Sequence, residues 1–127
     1  MALTSFQAGE AISTGNLVFL TSAGFIKKAI STVKEQASII GVALDSGIAG
    51  DLIRVNTDTV YSNFSALTPG NLQYLSIVSS GSLVDYSNWQ TQFNALAASG
   101  AFLTQLGRAI TTTSVEIEIN KPIYIIK

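Results

Sequence analysis

The chain has 127 residues, a net charge of −1 from 7 Lys plus Arg against 8 Asp plus Glu, and neither Cys nor His. Charged residues make up only 12%, against about 25% in a typical soluble domain, and 15 Ser, 12 Thr and 10 Gly fill their place. This excludes the basic footprint of a nucleic-acid binder, disulfides and thiolate metal sites, and nucleophiles or proton shuttles built on Cys or His.

Taken in chain order, residues 1–7 read as an N-terminal arm. The start lacks the basic and apolar stretches of a signal peptide, so synthesis in the cytosol is expected. No segment approaches the ~18 continuous apolar residues of a membrane span, and no membrane partner is expected. From residue 8 onward the chain alternates short apolar runs with glycine-bearing turns. Strands are expected at 17–20, 25–29, 38–44, 52–56, 59–64, 72–77 and 82–86. Between 87 and 99 the pattern changes: Trp89, Phe93, Leu96 and Ala97 recur at the spacing of an amphipathic helix. Ser87 or Asn88 is placed to cap its start and Gly100 its end. So short a helix needs tertiary packing, so Trp89 and Phe93 must cover the domain's own core or a neighbour. Strands follow at 106–110, 115–119 and 123–126. The last, Ile123-Tyr124-Ile125-Ile126, is an apolar strand with only Lys127 to blunt it. Such an edge must be covered, by the chain's own sheet or by another copy.

The chain also matches itself. Thr14-Gly15-Asn16-Leu17-Val18-Phe19-Leu20 recurs as Pro69-Gly70-Asn71-Leu72-Gln73-Tyr74-Leu75, and Ile40-Gly41-Val42-Ala43-Leu44 recurs as Leu106-Gly107-Arg108-Ala109-Ile110. This predicts one β domain over 1–127 containing two similar units, 8–64 and 67–120, the second with a helical insertion, and a C-terminal strand within 121–127. The expected fold is mainly β, a small β-sandwich or β-barrel of short strands with one short helix.

Chemistry is sparse. Glu116 and Glu118 share one face of a strand about 7 Å apart, near the spacing of a glycosidase pair, but a solvated strand face explains them better. Asp45, Asp51 and Asp58 lack the alternate spacing of a Ca²⁺ loop and read as turn aspartates, Asp51 being placed to pair with Arg54. No phosphate-binding glycine loop is present. No enzyme activity, catalytic residue, metal or cofactor is expected.

The run from Ala8-Gly9-Glu10 through Thr14-Gly15-Asn16-Leu17-Val18, Ile39-Ile40-Gly41-Val42-Ala43 and Ala49-Gly50-Asp51-Leu52-Ile53-Arg54 resembles capsid decoration (cement) proteins of tailed bacteriophages. The resemblance covers 8–56 and 67–119. It implies a structural virion protein on the outer surface of an assembled head, bridging neighbouring capsomers of the major capsid protein against internal DNA pressure. It further implies a homo-oligomer, with a trimer favoured. Position in the chain then selects contact candidates: Leu3 and Phe6 in the arm, Trp89 and Phe93 on the helix, and Tyr124 and Ile126 on the last strand. The alternative is a carbohydrate- or receptor-binding β module of a tail spike or fibre, with Tyr61, Tyr74, Tyr86 and Trp89 as candidate sugar-stacking faces. A chain running from Met1 to a short lysine end favours the stand-alone head protein.

Overall fold

The computed structural model describes residues 3–96 and 98–126, and strands form 43% of it against 11% helix. Ala97 of the expected helix stripe and Lys127 of the last strand lie outside the described residues. The fold is mainly β, with a closed five-stranded barrel and an open five-stranded sheet.

The barrel comprises β1 (Leu3–Ala8), β2 (Leu17–Leu20), β3 (Phe25–Lys28), β4 (Ile39–Ala43) and β5 (Leu52–Asn56), in the order β1-β3-β2-β4-β5. Strand β1 closes it, antiparallel to β5 from Leu3↔Asn56 to Gln7↔Leu52 and parallel to β3 at Gln7↔Phe25 and Ala8↔Ile26. The segment expected as an arm is therefore, from Leu3 onward, part of a wall. Its sequence, Leu-Thr-Ser-Phe-Gln-Ala, alternates poorly, and the two flanking strands supply the order that its own pattern lacks. Small and branched residues fill the narrow interior: Ala8, Ile12, Val18, Ile26, Ala43, Ile53 and Val55 are buried together.

The second sheet contains β6 (Val60–Ser62), β7 (Leu72–Leu75), β8 (Leu83–Asp85), β10 (Gln105–Ala109) and β11 (Ser114–Ile117), in the order β6-β11-β10-β7-β8. Opened between β1 and β3, the barrel has the same order, β1-β5-β4-β2-β3, and the match extends to register. Leu17↔Val42 and Val18↔Gly41 are followed by a slip to Phe19↔Ile39; Leu72↔Arg108 and Gln73↔Gly107 are followed by a slip to Tyr74↔Gln105. Gly15 and Gly70 turn the chain before β2 and β7 with φ of +92° and +91°, values that glycine adopts without penalty. Their N–H groups donate to the carbonyls of Ala43 and Ala109 at 2.8 and 2.7 Å. Strand β6, at 59–64 within the first unit on the sequence reading, pairs with β11 and corresponds to β1. The structural units thus run from β1 to β5 and from β6 to β11.

The two units pack asymmetrically. Leu17 and Phe19 on β2, with Ile39 and Val42 on β4, lie on the outer face of the barrel and fill the second sheet against Leu75, Leu106, Val115 and Ile117. Over Leu17–Phe19 both faces of β2 are therefore covered, which explains the apolar run there, while Leu20 at its end is exposed. In β11 the usual alternation holds, with Val115 and Ile117 buried and Glu116 exposed.

The connection from β3 to β4 carries a one-turn helix, α1 (Lys34–Ala37), and the connection from β8 to β10 carries α2 (Tyr86–Ala95) and β9 (Gly100–Leu103). Helix α2 starts earlier and ends sooner than 87–99. Asp85 is its cap, accepting from the Asn88 N–H at 2.9 Å, in place of Ser87 or Asn88. Gly100 opens β9 opposite Ile126 rather than capping the helix. Strand β12 (Ile123–Ile126) pairs antiparallel with β9 along its whole length. The chain itself thus covers one edge of the last strand. No helix is long and apolar enough to cross a membrane among the described residues.

Candidate functional site

Of the six contact candidates, Leu3 and Phe6 belong to the barrel wall. The Leu3 backbone lies opposite Asn56, and Phe6 is half-buried against the barrel interior. Trp89 is only 2% exposed and packs with Ile77 and Ala101. Phe93 stacks on it at 4.9 Å between ring centroids and 12° between planes, and Leu103 and Ile125 complete the cluster. The helix stripe thus seals α2 and the β9–β12 ribbon onto the second unit, and Trp89 presents nothing to a partner. Its buried indole N–H meets no acceptor among the described residues.

Tyr124 and Ile126 behave differently. They are 49% and 78% exposed, and Ile123 is 56% exposed. Only Ile125 turns inward to the Trp89 cluster, while the Tyr124 ring leans on Phe102 at 5.0 Å. The structure brings the helix and the last strand together through one cluster, with β12 leaving Tyr124 and Ile126 exposed on one face and Ile123 on the other. Phe6 belongs to a separate cluster.

Two surface features were not anticipated. On the barrel, Gln7 pairs with both Phe25 and Leu52, and these two side chains are 38% and 72% exposed beside Ile48 at 69%. Strand alternation carried the signal: Leu52 shares a face with Arg54, and Phe25 with Lys27. On the second unit, Leu72, Tyr74, Asp85, Tyr86 and Arg108 line an open groove of about 400 Å³. Tyr74 and Tyr86 meet at 5.8 Å and 59°, and Tyr86 in turn lies parallel to Trp89 at 6.3 Å and 7°. Burial, with the neighbouring Tyr86 as a smaller cause, raises the Tyr74 hydroxyl above its ordinary range. Of the four candidate sugar-stacking rings, Tyr61 and Trp89 are buried, whereas Tyr86 is 47% exposed and Tyr74 is half-buried beside it. The signal was present in the self-match, where Phe19 aligns with Tyr74 and Val42 with Arg108.

Charge is arranged for structure. Arg54 pairs with Asp45, not Asp51, donating from Nη2 at 2.8 Å and Nε at 3.0 Å. The side-chain bonds from Arg54, reinforced by its backbone N–H, hold the Asp45 carboxyl down to about 2. Asp51 instead accepts from the Ile48 N–H within its own turn. Glu116 and Glu118 are both exposed. Among the described residues no three acidic side chains converge to hold a metal ion.

No protein-family model matches the sequence, and no curated protein matches it either.

Proposed function

We propose that this protein is a decoration (cement) protein of a tailed-bacteriophage head, a structural component with no reaction to perform. It binds the outer surface of the assembled capsid, bridges neighbouring capsomers of the major capsid protein and resists the pressure of packaged DNA. The observation that carries the reading is the exposed apolar surface of β12, with Tyr124 and Ile126 on one face and Ile123 on the other, on a chain with only 12% charged residues. Depletion of charge is the compositional mark of interface cores. The resemblance of 8–56 and 67–119 to cement proteins supplies the partner class.

Size supports the same reading. A standard interface takes about 800 Å² from each partner, roughly an eighth of the 6345 Å² surface of this chain. A trimer engaging several capsomers gains about 10²–10⁴ in avidity, so each copy needs only a modest contact. Reconstitution tests the proposal. Expanded heads lacking the protein should rebind it and resist heating better, and native mass should correspond to three chains. Failure to bind expanded heads refutes the function; a monomeric mass with binding intact refutes only the trimer.

A further inference from the structure

The groove between β7, β10 and the start of α2 has no counterpart on the first unit, although the strands beneath it correspond. In the first unit the same face carries Leu17, Phe19 and Val42, all buried against the second sheet. In the second unit these positions hold Leu72, Tyr74 and Arg108. The inserted helix then adds Tyr86, whose ring forms the outer end of a stack with Trp89 and Phe93. The face has changed from a purely apolar one to rings bordered by hydrogen-bonding groups.

We propose that this groove binds a neutral pyranose unit of a glycan. A pyranose ring has an apolar C–H face and a rim of hydroxyls, which calls for an exposed aromatic face with fixed polar groups beside it. The stack behind Tyr86 holds the ring rigid, and its hydroxyl takes a bond from Gln90 Nε2 at 3.3 Å, so little order is lost on binding. Arg108 donates from Nη1 to the Gly70 carbonyl at 2.8 Å, which fixes the guanidinium and leaves its other N–H groups for sugar hydroxyls. Asp85 Oδ1 accepts from the Asn88 N–H, and among the described residues Oδ2 has no donor. One positive and one negative side chain leave the groove with no net charge, which favours a neutral sugar over a uronic acid. Its volume of about 400 Å³ lies within the range of small-ligand sites, about 300–1,000 Å³.

The site is independent of the cement role. Saturation-transfer NMR on the full chain would use methyl glycosides of glucose, galactose, mannose, N-acetylglucosamine and glucuronic acid at millimolar concentration. At least one neutral glycoside should receive saturation. Tyr86→Ala and Arg108→Ala should each weaken it about tenfold. Thermal melting of the two variants, whose side chains are exposed, should be nearly unchanged and separates lost binding from lost folding. Silence across the neutral glycosides overturns the proposal. So does binding of glucuronate alone, or binding that Tyr86→Ala and Arg108→Ala leave intact.

Discussion

Gly41 and Gly107 stand at corresponding points of the two units, and placing a methyl group on either tests both the packing and the correspondence. A Cβ at Gly41 would come within 2.7 Å of Val55 Cγ1 and 2.9 Å of the Asn56 carbonyl carbon; at Gly107 it would come within 2.9 Å of the Glu116 carbonyl carbon and 3.0 Å of the Glu118 nitrogen. Ordinary carbon contacts are about 3.5–4.0 Å, so β4 must part from β5, and β10 from β11, by up to about 1 Å. The obstacle is strand backbone and cannot swing aside. Overpacking of this kind costs about 1–3 kcal/mol, and stretching a neighbouring ladder bond adds about 1 kcal/mol.

Gly41→Ala and Gly107→Ala should therefore each lose about 2–4 kcal/mol. For a chain of this length each kcal/mol lowers Tm by about 4 °C, so melting followed by far-ultraviolet circular dichroism should fall by about 8–16 °C. Urea titration should show a lower midpoint with the slope unchanged. If either variant melts within about 2 °C of wild type, the close strand approach is wrong at that site. If only one is tolerated, the two positions are not equivalent.

Deleting residues 1–7 removes most of β1 and opens the barrel, so the variant should lose cooperative melting; unchanged melting would return the segment to the role of a free arm. Trp89→Ala should cost about 3–5 kcal/mol by emptying the cluster it forms with Ile77 and Ala101, whereas Ile126→Lys should change stability by less than about 0.5 kcal/mol and weaken head binding. Equal melting losses for the two would refute the division between core and contact surface. The Asp45 carboxyl should titrate near 2 by NMR, and Arg54→Ala should return it toward 3.8. Because this carboxyl is depressed on folding, the stability it contributes is complete above the unfolded value and is lost as pH falls through about 2. A wild-type midpoint already near 3.8 removes the pair as the cause.

Where pattern and environment agree, the strands were legible: Leu52–Asn56 and Ile123–Ile126 lie where their apolar runs and flanking turns put them. Strand β1 was not, because Thr4, Ser5 and Gln7 break its period and neighbours 18 to 53 residues away complete it. Strand β9 was hidden by Gly100, which fits a helix end as well as a strand start. Helix α1 is a single turn held from outside, its Ala37 carbonyl accepting from the Thr104 hydroxyl at 2.8 Å. Among contact residues the helix stripe misled: the spacing that makes Trp89 and Phe93 conspicuous is the spacing a core demands. The groove was legible only in part: the self-match sets Tyr74 against Phe19 and Arg108 against Val42, but only strand register and the inserted helix make Tyr74, Tyr86 and Arg108 neighbours.

The two units also explain each other's differences. The first closes on itself through β1 and β3. The second stays open because the outer face of the first, Leu17, Phe19 and Val42, occupies its concave side, and a sheet with its inner face already covered has no need to curl shut. That leaves one face of the repeat without a layer to meet it, the outer side of β7 and β10. Had it kept the first unit's residues, it would be a bare apolar sheet inviting another layer. Instead Arg108 replaces Val42, Tyr74 replaces Phe19, and α2 shields part of the rest. A chain that spends few charges thus places one where a further layer would stack, while β12 keeps Ile123, Tyr124 and Ile126 free of charge. The exposed surfaces of β12 and β7–β10 therefore have opposite characters: an apolar strip suited to protein contact and an aromatic–polar groove suited to a small, hydroxyl-rich ligand.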